Sequence, residues 1–309
     1  MKSLFLPVGL LLCFILAWSF PEPGTAAKEL GLIPWMVVVI FLVNGYQTNL
    51  SELPKSRSFL YALIGGGFLS LIISPMIGLG VAQAMALPAG IALGIIVTAT
   101  VPPTFSTCIV MTQLSGGYPL WSLMMTVILN IAGVFTIPFM LGYVMEGSGE
   151  IRIEPLSLLL TLILLVLLPF LLGIVARSLS SLDPRSVLLQ YLPSSCIILT
   201  VWMALSDSNE LFQTLQALTL VQIAIATLII HFGLMALSYL LSQILKLEPQ
   251  ARIAMLFTLS QKTLPVSISV LAALDIPIGE AVLTCVLFHF LMLLTDSLLT
   301  PRLAIKSAK

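Results

Sequence analysis

A lysine lies within one of the most apolar parts of the chain. Lys262 is near the middle of the stretch from Ile253 to Leu274, which is long enough to cross a bilayer, and Pro265 follows three residues later. A charge at membrane depth costs ~3 kcal/mol on insertion scales. A proline within a helix removes a hydrogen bond and frees a carbonyl oxygen. Because non-helical backbone is tolerated in a membrane only where it faces protein or water, these features predict an interrupted helix around a polar site.

Composition identifies the class of protein. Hydrophobic residues make up 59% of the chain and charged residues only 8%, whereas a soluble domain has about 25% charged residues. The chain is therefore predicted to be an all-α polytopic membrane protein. Its net charge of zero argues against nucleic-acid binding. Four cysteines lie in apolar stretches without CxxC spacing, which favours core packing over a disulfide set or a metal site.

Ten apolar runs reach the roughly 20 residues that a membrane helix needs. They cover about 4–20, 32–48, 59–83, 86–112, 118–144, 156–177, 188–206, 218–244, 250–274 and 280–300. The short connections hold most of the charges and leave no room for a soluble domain. We therefore expect one integral membrane unit made of two five-helix halves, residues 1–155 and 156–309.

The basic residues predict an orientation, since cytoplasmic loops are rich in lysine and arginine. One side of the membrane would have Lys2, Lys55, Arg57, Arg177, Arg185, Lys246, Arg252, Arg302, Lys306 and Lys309. The other side has only Lys28 and Arg152. Both termini are therefore expected in the cytoplasm, and the short chain without an arginine-rich leader fits a bacterial inner membrane. The first segment also resembles a signal peptide, but no small-x-small cleavage site follows it directly, so we expect it to be retained.

The two halves of the chain resemble each other. Thr104 pairs with Thr263 and Pro119 with Pro277, at offsets of 159 and 158 residues. His289 then pairs with Asn130. Five spans in each half is an odd number, so the halves would be inverted relative to each other. Chance likeness between apolar helices is the alternative, but inverted repeats with interrupted helices in matching positions are typical of secondary transporters.

Several motifs resemble the bile acid:sodium symporter family, also called SBF-like. They are Asn44-Gly-Tyr-Gln-Thr-Asn-Leu-Ser-Glu-Leu53, Pro88-Ala-Gly-Ile-Ala-Leu-Gly-Ile, Pro102-Pro-Thr-Phe-Ser-Thr and Val110-Met-Thr-Gln-Leu-Ser-Gly-Gly117. The segment Ser260-Gln-Lys-Thr-Leu-Pro265 is similar to the divergent branch related to solute carrier family 10 member 7. The resemblance covers most of the chain.

The resemblance implies ten helices in a panel bundle and a core bundle, with helices 4 and 9 broken and crossed at mid-membrane. It also implies two sodium ions behind the crossing and an organic anion in front of it. Ser122 and Thr126 match hydroxyl ligands of the first sodium site, and Thr107 falls near another ligand position. These three residues are the candidate sodium ligands, and no other cofactor is expected.

Two positions depart from the family pattern. Lys262 replaces the acidic residue that would serve both sodium sites, and Ser70 replaces a glutamine of the second site. An ammonium brings a positive charge and no acceptor, so coupling to two sodium ions is in doubt. Two explanations remain open at this stage. Lys262 is either a built-in cation in the second sodium site, or an amine that gives up its proton during the transport cycle.

The candidate site extends beyond this lysine. The predicted substrate or ion-binding residues are Lys262, Thr104, Ser106, Thr107, Ser122, Thr126, Thr263, Gln261, Asn130 and His289. His289 and His231 lie within predicted spans, and each could serve proton coupling or substrate contact, or form a neutral hydrogen bond between helices. Asp296 is expected to pair with Arg302 or with water.

Together these features predict a secondary active transporter of a small or amphipathic organic anion. Its expected partners are membrane lipid and that anion, and the sequence carries no signal for an oligomeric state. An enzyme is not expected, because HExxH, GxSxG and paired membrane aspartates are missing. One alternative is a cation/proton antiporter-type ion exchanger, which would normally need an aspartate in the crossing. A membrane regulator without transport activity is the other.

Overall fold

The computed structural model describes residues 5–146, 154–180, 182–184, 186–207, 216–274 and 279–305. All regular structure in these residues is helical. The helices are α1 (Phe5–Ser19), α2 (Glu22–Glu29), α3 (Leu32–Gln47), α4 (Arg57–Ala84), α5 (Ala89–Thr100), α6 (Thr107–Leu114), α7 (Pro119–Glu146), α8 (Pro155–Leu179), α9 (Val187–Ser206), α10 (Ala217–Ile244), α11 (Pro249–Ser260), α12 (Leu264–Ala272) and α13 (Gly279–Leu303). A π turn interrupts α4 at Leu69–Ile73 and another interrupts α8 at Ile163–Leu167.

The apolar helices fit an integral membrane protein. Within the described residues, seven helical spans are long and apolar enough to cross a membrane, and the number rises to eight if α1 and α2 count as one span bent by 101°. The shorter α3 and α5 are also apolar. The short helix α2 was not predicted. Prolines at positions 21 and 23 end α1 but suit the first turn of a new helix, because a proline there loses no hydrogen bond.

Contacts divide the helices into two groups. The panel group comprises α1, α2, α3, α8 and α9, and the core group comprises α4 to α7 and α10 to α13. Within the panel group, α3 and α8 approach each other closely at two glycines. A Cβ atom on Gly45 would overlap the carbonyl of Phe170, and one on Gly173 would overlap the carbonyl of Leu42. These glycines therefore allow direct contact between the two backbones.

Two turns of the core group share an unusual conformation. Ala86 and Lys246 are the non-glycine residues with positive φ in the described part of the chain, at 47° and 51°. The N–H of each following residue, Leu87 and Leu247, bonds to a carbonyl five positions back. Each turn leads into a helix of 12 residues, α5 or α11. The two turns are related by an offset of 160 residues, since 246 − 86 = 160.

Both predicted interruptions are present. After α5 ends at Thr100, Val101 is extended, with φ −71° and ψ 155°. Two consecutive prolines follow, and a residue before proline is driven out of the helical region. After α11 ends at Ser260, Gln261 is likewise extended, with φ −83° and ψ 146°. Pro265, expected to interrupt a helix, instead lies in the first turn of α12, where its missing N–H costs nothing.

Candidate functional site

The two helix breaks touch each other directly. The Thr263 N–H donates to the Pro102 carbonyl over 3.0 Å. The Thr107 hydroxyl donates to the Gln261 side-chain oxygen over 2.6 Å. One bond joins backbone to backbone and the other joins side chains. The breaks between α5 and α6 and between α11 and α12 therefore form one connected centre in the core group.

Lys262 is buried at this centre, with 1% of its surface exposed. Its Nζ lies 3.1 Å from the Val101 carbonyl, 3.1 Å from the Ser70 carbonyl and 3.3 Å from the Ser70 hydroxyl. Val101 begins the first break, and Ser70 lies in the π turn of α4, where the α-helical hydrogen-bond ladder is disrupted. Since an ammonium has three donors, these three oxygens satisfy it, and Lys262 joins three parts of the core group.

The long helices α7 and α13 each give one donor to a break. Asn130 Nδ2 on α7 donates to the Pro103 carbonyl over 2.9 Å. His289 Nδ1 on α13 lies 3.3 Å from the Lys262 carbonyl. A carbonyl only accepts hydrogen bonds, so this ring nitrogen carries the hydrogen. Both pairs are related by the same offset, since 289 − 130 = 159 and 262 − 103 = 159.

A buried acid lies beside the second break. Asp296 is fully buried, and its two carboxylate oxygens lie 2.9 Å from His231 Nε2 and 2.6 Å from Gln261 Nε2. The expected pairing with Arg302 or water is wrong. Six positions along a helix turn a side chain to another face, so Arg302 is exposed while Asp296 points into the core group.

Three of the predicted hydroxyl residues, Ser122, Thr126 and Thr107, each contact another side chain. Ser122 Oγ lies 2.8 Å from Thr258 Oγ1, and Thr126 Oγ1 lies 3.4 Å from Cys108 Sγ. Thr104 is buried and its carbonyl accepts a bond from Cys108, while Thr263 is buried in the second break. Ser106 is exposed at the start of α6. Among the described residues, the hydrogen-bond partners of Lys262 Nζ are Ser70 and Val101, and the predicted hydroxyls do not contact it.

None of the candidate sodium ligands is an acid. The candidate sodium ligands Ser122, Thr126 and Thr107 supply neutral hydroxyls, each within hydrogen-bonding distance of another side chain. The oxygens of Ser70 and Val101 face Lys262 Nζ instead of an open space. These residues do not fit a pair of sodium sites of the kind that the resemblance implies.

Three residues that contact the site were not among the predicted site residues. Thr258 pairs with Ser122, the Met292 sulfur accepts the Lys262 N–H over 3.2 Å, and Asp296 contacts the second break through Gln261. A signal for Asp296 was available. It follows His289 by seven positions, which is two helical turns, so both side chains lie on one face of α13.

Comparison with known proteins places these features in a family. The sequence model of the SBF-like CPA transporter family matches residues 5–305. Relatives include the "probable sodium/metabolite cotransporter BASS4, chloroplastic" of Oryza sativa subsp. indica, 27% identical over 317 residues, which cover 96% of this chain and 75% of the relative. The protein of the same name from Arabidopsis thaliana is 25% identical over 310 residues, which cover 96% of this chain and 71% of the relative.

Proposed function

Because the chain belongs to the SBF-like CPA transporter family and is a transporter rather than an enzyme, we propose that it carries a small or amphipathic organic anion across a bacterial cytoplasmic membrane by secondary active transport. Similar plant proteins are named as sodium/metabolite cotransporters, and this supports a small metabolite as the cargo. The observation that carries the proposal is the buried Lys262 side chain where two broken helices meet.

The proposed architecture has ten membrane segments in an inverted five-plus-five repeat. The bent pair α1 and α2 forms one segment, and the pairs α5 with α6 and α11 with α12 form one each, which gives five segments up to Glu146 and five from Pro155. Three matched features at offsets of 159 or 160 residues support the repeat: the turns at Ala86 and Lys246, the donors Asn130 and His289, and the helix ends at Thr100 and Ser260.

Two properties would attract an anion to the crossing, which is the place where the break between α5 and α6 meets the break between α11 and α12. Lys262 supplies a positive charge in a region without bulk water, where charge interactions are much stronger than in solution. The helix α6 begins at Thr107 and α12 begins at Leu264, so two helix N-termini, each with partial positive charge, start beside the breaks. Transporters of other folds also direct half-helix N-termini towards anionic substrates.

Sodium coupling is proposed to be weak or lost. Lys262 bonds to the oxygens of Ser70 and Val101, and Ser70 replaces the glutamine that the resemblance assigns to the second sodium site. The ammonium therefore acts as a resident cation that ties the crossing to α4. Between the two roles considered for Lys262, this arrangement supports the built-in cation, because all its donors have partners.

The proposal is tested with purified protein in two steps. A thermal-shift screen against a panel of carboxylates identifies those that bind, because a ligand of the folded state raises the melting temperature. Uptake of a stabilising carboxylate into proteoliposomes is then measured with sodium or choline outside. We expect saturable uptake that depends little on sodium, is lost in Lys262→Met, and is retained in the control Lys55→Met, which changes an exposed lysine.

The outcome of the sodium experiment decides the role of Lys262. In Lys262→Glu we expect uptake to require sodium, because a carboxylate would supply the missing ligand. Wild-type uptake that rises steeply and saturably with sodium, and that survives in Lys262→Met, would show that the lysine does not replace an ion. If no carboxylate is bound or carried by folded protein, the organic anion is the wrong substrate class.

One observation favours a cation/proton antiporter-type exchanger as the second candidate. Such an exchanger needs a buried acid at the crossing, and Asp296 bonds to Gln261 in the second break. Sodium-driven proton movement in dye-loaded vesicles without any carboxylate distinguishes the two functions. An exchanger moves protons under these conditions, whereas the proposed organic anion carrier does not.

A further inference from the structure

His231 and Asp296 form a buried pair outside the lysine centre. His231 is on α10 and Asp296 is on α13, and neither side chain has any exposed surface. His231 Nε2 lies 2.9 Å from one carboxylate oxygen of Asp296, while Nδ1 lies 3.2 Å from the Ser260 carbonyl. The same histidine therefore contacts both a buried acid and the last helical residue before the second break.

The geometry determines how many protons this pair holds. The Ser260 carbonyl can only accept, so Nδ1 must carry a hydrogen. A hydrogen bond between Nε2 and the carboxylate then requires one further proton, placed either on the ring nitrogen or on the Asp296 oxygen. In both forms the pair as a whole is neutral. Without this proton, the Nε2 lone pair would face a carboxylate, which is repulsive and leaves the pair with one negative charge.

We infer that His231 and Asp296 together bind one proton, and that the gain and loss of this proton accompany each transport cycle. The inference rests on the transport function proposed above and names the coupling ion of that same centre. Binding takes one proton from water and changes the charge of the pair from −1 to 0, and release reverses the change. No other reactant is needed.

The ionisable groups around His231 and Asp296 determine how the proton changes the charge of this region. Helices α5 and α12, which pack against α13, have no ionisable side chain. Cys108 on α6 is within electrostatic reach of Asp296, α9 has Cys196 and Tyr191, and α10 also has an exposed Tyr239. Two helices that pack against α10 add Arg252 on α11 and the exposed Arg57 and Tyr61 on α4. On α13 itself are Glu280, Cys285, His289 and Arg302, with the last exposed near the helix end. Lys262 is the buried cation at the crossing.

The proton therefore controls the net charge of the crossing. With the proton bound, the pair is neutral, and within the described residues the charge of Lys262 has no buried counter-charge. An anionic solute would then be favoured, because it balances the lysine. With the proton released, Asp296 itself balances Lys262 and the solute loses that advantage. Proton binding and anion binding thus favour each other, as a proton/anion symporter requires.

A physical connection links the pair to both breaks. Asp296 accepts a bond from Gln261 Nε2, and Gln261 Oε1 accepts a bond from the hydroxyl of Thr107, which begins α6 directly after the first break. His231 holds the Ser260 carbonyl at the end of α11. Loss of the proton would turn Nε2 away from the acid and would disturb the bond to Ser260. The backbone of the breaks should respond to the protonation state of the pair.

The first experiment measures the proton directly. The chain has two histidines, so protein labelled with ¹⁵N-histidine, purified with a non-histidine tag, has few ring signals, and His289→Gln leaves only those of His231. As pH rises, we expect the Nε2 signal to move in a single transition while Nδ1 stays protonated. In Asp296→Asn this transition should be absent, and in Asp296→Glu, which keeps the acid, it should persist.

The second experiment measures coupling to the crossing. Hydrogen–deuterium exchange at residues 101–107 and 261–263 is followed across the same pH range, in the wild type and in Asp296→Asn. We expect the exchange rates of the wild type to change together with the Nε2 transition, and those of Asp296→Asn to lack that step. No substrate is required, so this test is independent of whether an organic anion is transported.

Two results would overturn the inference. An Nε2 signal that does not move while the protein stays folded, or moves equally in Asp296→Asn, would show that the pair binds no exchangeable proton. A transition that leaves exchange at both breaks unchanged would make the pair a structural contact only. A failure to transport carboxylates, by contrast, would contradict the proposed function and leave the proton site intact.

Discussion

At the scale of single residues, Lys262 shows how a buried charge is tolerated. Its three donors meet two backbone carbonyls and one hydroxyl, and both carbonyls lie where a helix is interrupted. Replacing a buried charge by an apolar residue is often neutral or stabilising when its partners are removed as well. Here two of the partners are backbone carbonyls that no substitution removes. We therefore expect the fold to be more stable with lysine at position 262 than with an apolar residue.

The first prediction concerns the contribution of Lys262 to the stability of the fold. Lys262→Met keeps the length of the side chain but leaves the Ser70 and Val101 carbonyls unpaired, at a cost of about 1–3 kcal/mol each. We expect a lower melting temperature in detergent, measured by intrinsic fluorescence. Ser70→Ala is the matched control, because it removes only the hydroxyl contact and should have a small effect. Equal stability of Lys262→Met and the wild type would contradict the structural role.

The second prediction concerns the donor from α7. Asn130→Leu leaves the buried Pro103 carbonyl without its partner, so we expect the free energy of unfolding to fall by about 1–3 kcal/mol. Asn130→His supplies the donor that α13 uses in the other half and should lose less stability. Denaturant unfolding of both variants in the same detergent gives the comparison. A larger loss in Asn130→His would show that the two halves are not interchangeable here.

At the scale of elements, close helix contact depends on small residues. The contact between α3 and α8 is possible because Gly45 and Gly173 have no Cβ. In contrast, Gly233 on α10 has no atom within 4 Å of an added Cβ. Glycine within a helix is less stable than alanine by about 0.5–1 kcal/mol, so the two kinds of glycine should respond in opposite directions.

The third prediction uses this difference. In Gly45→Ala or Gly173→Ala, the new methyl group collides with backbone atoms, and overpacking of this kind costs about 1–3 kcal/mol. Both variants should melt at a lower temperature than the wild type, whereas Gly233→Ala should melt at the same or a higher temperature. The prediction fails if all three substitutions shift the melting temperature in the same direction.

At the scale of the whole molecule, the panel and core groups meet along an apolar seam. Phe105 from the first break packs against Phe41 and Phe170 of the panel group, with ring centroids 6.3 and 5.7 Å apart. The seam next to α12 is formed by Val37, Ile40, Ile197, Thr200, Val201, Leu264, Pro265 and Ile268. These contacts are mainly apolar, and they hold the place where the two breaks meet against the panel group.

The fourth prediction tests the orientation of the molecule. Glu29, the last residue of α2, and Ser51, in a short 3-10 helix after α3, are exposed near opposite ends of α3, while all four natural cysteines are buried. In intact cells, a membrane-impermeant thiol reagent should label Glu29→Cys and should label Ser51→Cys only after the cells are opened. The unmodified protein gives the background. The reverse pattern would invert the orientation and place the termini outside the cytoplasm.

The sequence by itself determined the class, the positions of the long apolar helices and both interruptions, but it missed the short helix α2. Apolar runs, prolines and basic loops are local signals, and the physical rules behind them act over a few residues. The sequence also identified Lys262, because a charged residue within an apolar span can be recognised without knowing how the helix packs.

Only the tertiary structure decided which residues are partners. Lys262 bonds to Ser70, which is 192 positions away, and Asp296 bonds to His231 and Gln261 instead of Arg302. Ser122, Thr126 and Thr107 likewise contact side chains that no local pattern pointed to, namely Thr258, Cys108 and Gln261. In a helix the direction of a side chain changes by about 100° with each residue, so partners between helices depend on rotation and crossing, which no local pattern specifies.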